Sequence, residues 1–520
     1  MDLNPSEIRR NNCPHHHLVE VDPTDWKGVI LARRETNMIL AMQKIMKKPK
    51  WFRKIFDDKI CDKWMSEIMS QVDFSEPMWK YCVAELRDKA KTLEETGLVT
   101  PIDVDTQVVY SDVAISKKIR RDLNKAVAAL ENVPDKDKDW HPGTRERVLD
   151  LVHPSMFPLI YGRSRVLKNG DVGLEDCTSY CGQGEIIQKP ELPISGGWSD
   201  QFQWLPCDIK FEGEEDVKIT SYINNLHPQE HPDIYGLVEK VIAKAVPLWD
   251  QVLSHTGGGP ENMRVLVLPE PKPYKPREIP EEPPLDLRKE YAGSGLQVIV
   301  KLANTYLTPD DPEWDGGSWH VEGLHNEQIV ATAIYYYSNT NITPSQLKFR
   351  HNGSDESWFD MEYEQFDYAH LETITGFQNE FDPLIQNLGS VMCDQGRLLA
   401  FPNVLQHNVG SFKLEDETKP GERKILALFL VNPHVRVLST AKVPPQRKDW
   451  WEKEIREQRG EIEKLKTLPN ELMDKVFDNV EDFPIGMADA KQIRETLMEE
   501  RGPIGQGMIE CEATFYFCEH

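Results

Sequence analysis

Apolar residues recur at three and four positions through "MILAMQKIMKKPKWFRKIFDDKICDKWMSEIMSQV" and onward to about Lys91, the period of amphipathic helices. Pro49 and Pro77 interrupt that stretch, so two or three helices are expected there. The same period returns in "SKKIRRDLNKAVAALENV" at 116–133 and in "DIYGLVEKVIAKAVPLWDQVLSH" at 233–255. After residue 286 it gives way to short β-branched or aromatic runs bounded by turn residues. These are "LQVIVKLANTYL" (296–307), "EQIVATAIYYYS" (327–338), "QLKFRHN" (346–352), "SVMCD" (390–394), "GRLLAFPNVLQHNV" (396–409) and "RKILALFLVNP" (423–433), with natural turns at Gly396 and Pro402-Asn403. Six strands without a long helix between them predict an antiparallel sandwich or jelly roll, and with the helices an α+β fold.

Between 152 and 210 short apolar runs alternate with Gly and Pro, which suits strands and loops. A Pro- and Glu-rich connector, "LPEPKPYKPREIPEEPPLD" at 268–286, is the best boundary in the chain. Four regions follow: a mainly helical 1–150 that reads as packing scaffold, a mixed 151–267, a β-rich 287–445 and a charged helical 446–520. The charges of the last region predict a solvated helix surface.

Composition narrows the function. The 520 residues carry a formal net charge of −25, distributed along the chain, which repels phosphate backbones and argues against nucleic-acid binding. No leader-like apolar segment opens the chain and no run reaches about 18 apolar residues, so a soluble, cytoplasmic protein without a membrane partner is expected. Nine scattered cysteines do not form a disulfide framework, and Cys177 and Cys181 lack a second pair to make a zinc site. The adjacent histidines of "CPHHHLVE" (13–20) read as incidental surface residues. Neither internal repeats nor a Gly-rich phosphate loop is present.

Candidate chemistry concentrates in "SWHVEGLHNE" (318–327), which holds two His-x-acid triplets, His320/Glu322 and His325/Glu327. Residues two apart on a strand face the same way, so either triplet could present an imidazole and a carboxylate to one ion. His407 offers a second imidazole from a later strand. Two His and one carboxylate make a facial triad with open positions, the donor set suited to non-haem Fe(II) and O₂. Arg423, sixteen residues beyond His407, could hold a carboxylate bidentately.

These parts resemble the iron(II)/2-oxoglutarate-dependent oxygenases, whose pattern is His-x-Asp/Glu, a distal His and a later basic residue. The resemblance implies a double-stranded β-helix (jelly roll) core, with His320, Glu322 and His407 holding Fe(II) and Arg423 anchoring 2-oxoglutarate. Asn304 and Tyr306 in "LANTYL" are similar to the Asn-x-Tyr pair with which the AlkB-like branch binds that co-substrate. The wider chain, through "LVHPSMFPLIYGRSRVL", "SYINNLHP", "GGSWHVEG", "IVATAIYYY" and "RKILALFLVNPHVRVLST", resembles a fungal family of large uncharacterised proteins. That likeness selects His320/Glu322 over His325/Glu327, and Glu327, opening an apolar strand, is expected to face solvent. Glu322 departs from the commoner Asp of the triad.

The expected activity is oxidation of a small organic or amino-acid-like substrate by hydroxylation, desaturation or cyclisation, with O₂ consumed and succinate and CO₂ released. Trp319 and Tyr335-Tyr336-Tyr337 are candidates to line the pocket. Two rivals stand beside it: a cupin-like metal enzyme in which Arg423 binds a substrate carboxylate, and a non-catalytic interaction protein docking through 446–520. Oligomeric state is not legible in the sequence.

Overall fold

The computed structural model describes residues 26–509 except 71–72, 191–196, 255–262, 266–269, 272, 277–283, 355–367, 461–464, 467 and 481, with the side chains of 503–509 also left out. The histidine-rich stretch at 13–20, parts of the 268–286 connector, and Cys13, Cys511 and Cys518 lie outside the described residues. The six cysteines at 61, 82, 177, 181, 207 and 393 are buried free thiols.

Helices α1 (Arg33–Met46) and α2 (Glu76–Thr96) frame two short helices, Trp51–Lys54 and Asp58–Met69. Pro77 sits in the first turn of α2, where its missing N–H costs nothing, and Ser75 caps that helix. Next come β1 (Val99–Asp103), β2 (Gln107–Ser111), α3 (Lys117–Glu131), β3 (Val148–Val152), β4 (Cys207–Glu212), β5 (Asp216–Ile219) and α4 (Pro232–Leu253). The β-rich region supplies β6 (Leu296–Leu307), β7 (Ile329–Thr340), β8 (Gln346–Ser354), α5 (Ala369–Thr375), β9 (Ile385–Met392), β10 (Leu398–Pro402), β11 (Gln406–Val409) and β12 (Gly421–Val431). Helix α6 (Met487–Ile509) follows. The run expected as one strand at 396–409 is two, β10 and β11, broken after Pro402.

This is a mixed α+β molecule built on large antiparallel sheets. The larger has the order β5-β4-β6-β12-β7-β10-β2-β1, with β3 added to β6. The smaller pairs β8 with β9 and with β11, and the short strand Gly28–Val29 joins β8 in parallel. The front region read as helical scaffold therefore also contributes β1 and β2, which extend the large sheet beyond β10.

Strand alternation divides the interior in two. On one face of the large sheet Val298, Val300, Leu302, Leu426 and Leu428 pack under α4 residues such as Val241, Ile242 and Trp249. On the other, Ile299, Ala427, Phe429, Tyr336 and Phe401 meet Leu347 and Phe349 of the small sheet. Strands buried on both faces explain why β6 and β12 read as nearly continuous apolar runs.

Helix α6 lies against the same assembly through two arginines seven residues apart, hence on one helix face. Arg494 pairs with Asp139 (2.9 Å) and Asp150 (3.3 Å), and Arg501 with Glu327 (2.5 Å), while Leu497 between them is fully buried. The expected solvated surface of the C-terminal region is thus interrupted by two inward-facing cations. None of the described helices is long and apolar enough to cross a membrane.

Candidate metal centre

His320 stands opposite His407 of β11 as a single antiparallel bridge. Each N–H donates to the other's carbonyl, at 3.1 Å and 3.0 Å. The approach depends on the preceding glycines. Gly317 N–H donates to Val409 O (2.9 Å), and Gly316, at φ +105°, lies so close to Val409 O that a β-carbon would meet it at 2.9 Å. The "GGSW" turn is therefore what lays His320 alongside β11.

The imidazoles of His320 and His407 stand 4.3 Å apart between ring centres, and Glu322 reaches both, with Oε1 3.7 Å from His320 Nε2 and 3.4 Å from His407 Nε2. One donor atom from each of the three lies within 4.8 Å of the others. His320 Nδ1 is 3.0 Å from Ser318 O, and since a carbonyl can only accept, Nδ1 carries the proton and Nε2 faces the carboxylate. His407 is buried against Phe401 and Phe349, whereas His320 is partly open to solvent.

Charge in the cluster is strongly coupled. Burial alone would raise Glu322, but the adjoining His320 and His407 imidazoles hold it well below the usual carboxylate range. Burial opposes charge on His320, yet Glu322 lifts its pKa above the ordinary value. Burial, and then the neighbouring His320, push His407 down. These directions favour the carboxylate form of Glu322 and the neutral form of His407, while Glu322 favours the charged form of His320.

Asn403, expected only as a turn residue, clamps this loop. Its Oδ1 accepts Glu322 N–H (2.9 Å), and its Nδ2 donates to Glu322 O (2.9 Å) and Ile329 O (3.1 Å). Turn chemistry flagged the position, but the contact joins residues 81 apart in sequence and has no local signal.

The second triplet is occupied elsewhere. Glu327 is fully buried, not solvent-facing as expected: Oε1 accepts Trp204 N–H (2.7 Å) and pairs with Arg501, and Oε2 accepts Leu324 N–H (2.6 Å). His325 N–H donates to Gly197 O (2.9 Å) and its ring packs on Trp198. Gly197, at φ +93°, is the only residue type that fits beneath that ring, because a β-carbon there would come within 2.1 Å of it.

Arg423 lies on β12 opposite Thr305, on the face shared with Ala427 and Phe429. It is buried, its guanidinium lies 5.0 Å from the Phe412 ring, and its Nε and Nη1 have no hydrogen-bond partner among the described residues. Asn304 and Tyr306 are not brought to this side. In the antiparallel register they oppose Lys424 and Glu422, so they project from the other face of the sheet. There Asn304 Nδ2 donates to Glu131 (2.8 Å) and to Tyr306 Oη (2.9 Å), while Tyr337 Oη donates to Asn304 Oδ1 (3.1 Å). The anchoring role implied by their resemblance is corrected by strand alternation. The tyrosine run splits likewise: Tyr335 and Tyr337 take the α4 face, Tyr336 the face of Arg423. Trp319 turns outward, under the guanidinium of Arg350 at 4.4 Å.

A second set of ligand-type residues, His141, Asp150 and His153, was not singled out from sequence. Asp150 already accepts His141 Nδ1 (2.7 Å) and Arg494 (3.3 Å), and His153 Nδ1 accepts Ser155 N–H (3.1 Å). A buried arginine supplies positive charge where an ion would otherwise sit, so this cluster reads as the seat of α6.

Family models described as "Protein of unknown function (DUF4246)" match residues 76–282 and 260–454, and "Domain of unknown function DUF4246, N-terminal" matches 2–67. The chain belongs to the DUF4246 family. No curated protein matches it. Among solved structures, IDO from Bacillus thuringiensis is 11% identical with a TM-score of 0.24, over 66% of this chain and 93% of that one. The Fe(II)/(alpha)ketoglutarate-dependent dioxygenase TqaL is also 11% identical at a TM-score of 0.24, over 76% and 89%. A bsmA homolog from Methylobium petroleophilum is 8% identical, again at 0.24, over 66% and 92%. Similarity at this level carries no inference about the DUF4246 site, whose chemistry rests on its own side chains.

Proposed function

We propose that this DUF4246 protein is an Fe(II)/2-oxoglutarate-dependent oxygenase acting on a small molecule, with His320, Glu322 and His407 as metal ligands and Arg423 as the co-substrate anchor. The observation that carries the reading is Arg423. A buried guanidinium with two unpartnered N–H groups is costly to maintain, and a carboxylate is the group that satisfies it. It lies on the sheet face that looks toward the small sheet, whose strand β11 carries His407. The strand order β6-β12-β7-β10 facing β9-β8-β11 and the His320 bridge is compatible with a double-stranded β-helix.

The three side chains fit the ion: two imidazole nitrogens and one carboxylate suit iron(II) and leave positions for a chelating co-substrate. With iron(II), 2-oxoglutarate and O₂, such a site supports oxidative decarboxylation to succinate and CO₂ coupled to oxidation of a substrate C–H bond. Ser318 O fixes the His320 tautomer, Asn403 holds the Glu322 backbone, and Phe401 and Phe349 shield His407 from water. Arg423 would pair with the distal carboxylate of 2-oxoglutarate and orient the keto acid toward the triad. The partly exposed side of His320 is the natural approach for a substrate.

The test is anaerobic addition of Fe(II) and then 2-oxoglutarate to metal-free protein, watching for the visible charge-transfer band of the chelate. A band in wild type that is lost in His320→Ala and retained in His325→Ala is the expected result. Iron binding without a band would reassign Arg423 to a substrate carboxylate, the cupin-like alternative. Failure to bind iron would sink both readings.

A further inference from the structure

A cleft of about 550 Å³ opens on the outer side of the small sheet, between the first turn of α1, the C-terminal end of α5 and strand β9. Arg33 and Arg350 both line it, with Asn37, Thr375, Gln386 and Asp382. In a chain of net charge −25, arginines commonly find carboxylates, yet neither of these has an ion-pair partner among the described residues. Asp382, the acid in the wall, is already engaged, its Oδ2 accepting Gln378 N–H at 2.7 Å.

Arg350 is held in place without a countercharge among the described residues. Its Nε donates to Gln406 (2.8 Å) and its guanidinium stacks over Trp319, which fixes the plane and leaves the terminal nitrogens for another acceptor. Desolvation lowers its pKa, as burial does when no anion accompanies a cation. The α1 first turn adds weak potential of the same sign, and the N-cap Ala32 brings no side-chain acceptor.

We propose that this cleft is a second binding site, separate from the triad, for a small oxyanion gripped between Arg33 and Arg350. Phosphate and carboxylate groups share the required chemistry, because each offers several acceptors to a planar guanidinium. The cleft touches the metal centre indirectly. Gln406 precedes His407 and Trp319 precedes His320, so Arg350 contacts the neighbour of each imidazole ligand. Because the two sites use different residues, the proposal does not depend on the oxygenase reading.

The experiment is calorimetric titration of full-length, metal-free protein with inorganic phosphate and, separately, with malonate, in wild type, R33Q, R350Q, R350K and R423Q. Saturable binding that weakens about tenfold or more in R33Q and R350Q, less in R350K, and not in R423Q is the expected outcome. Preference for phosphate would assign a phosphate-bearing ligand, and preference for malonate a carboxylate. R350K retains the charge and serves as the folding control, with unfolding midpoints compared across all variants. Absence of saturable binding of either anion to wild type, or binding lost only in R423Q, would overturn the proposal.

Discussion

The neighbouring residues Arg423 and Lys424 occupy opposite faces of one strand, and their surroundings differ in kind. Lys424 is buried but answered, pairing with Glu131 (2.9 Å) and Glu422 (3.2 Å) in a network that also closes over Asn304, Tyr306 and Tyr337. Arg423 is equally buried, yet two of its donors meet no acceptor among the described residues. A saturated polar network stabilises a fold, whereas a buried cation left unsatisfied is the kind of group a bound anion would complete. Asn-x-Tyr belongs to the first kind, despite its likeness to a co-substrate motif.

The largest test of this contrast is removal of a proposed ligand on the open side. His407→Ala or His320→Ala is expected to lower Fe(II) affinity by more than about a hundredfold, since even outer partners of metal ligands contribute 10- to 100-fold. Anaerobic metal titration checks it, and retention of affinity would remove the triad from consideration. On the closed side, Lys424→Met should destabilise the fold by about 3–5 kcal/mol by stranding Glu131 and Glu422, read by denaturant unfolding, without altering metal affinity.

The comparison sharpens with a matched pair. Arg423→Gln is expected to weaken 2-oxoglutarate binding by tens of fold with iron binding intact, roughly the worth of a charge-assisted contact. Asn304→Ala should leave that affinity unchanged and lower stability by about 1–3 kcal/mol. If Asn304→Ala weakened co-substrate binding instead, the division of faces would be wrong.

The smallest effect concerns an exception on the closed side. Burial, with Asp286 and Glu290 nearby, raises Asp250 of α4 from an ordinary 3.8 to about 7. Between those values the folded state binds more protons than the unfolded, so this group's contribution falls as pH rises through that interval and is lost above it. Asp250→Asn keeps an acceptor for Leu287 N–H and should flatten that part of the stability–pH profile, as thermal unfolding across it would show.

Strand existence was legible because β-branched runs and turn residues are local signals. Expected and observed bounds for β6 coincide at 296–307, and the Pro402-Asn403 turn separates β10 from β11. The grouping of His320, Glu322 and His407 could be posed from order and spacing alone, and the structure brings those three side chains together. Which face each residue takes was not legible in strands apolar on both sides, and there Asn304 and Tyr306 went astray. Glu327, Asn403 and Arg494 draw their roles from partners far along the chain, such as Arg501, Glu322 and Asp150, and pairings of that span leave no periodic trace.

The paired hydrogen bonds between the backbones of His320 and His407 have a thermodynamic consequence. Peptide groups, which form with the sheet, set the spacing of the two imidazoles, so the ordering entropy of the proposed seat would be spent during folding and not at ion capture. A protein organised this way should behave unlike a zinc finger, whose architecture dissolves when its ion is withdrawn. Chelators should strip such a centre and leave the polypeptide folded and ready to be reloaded.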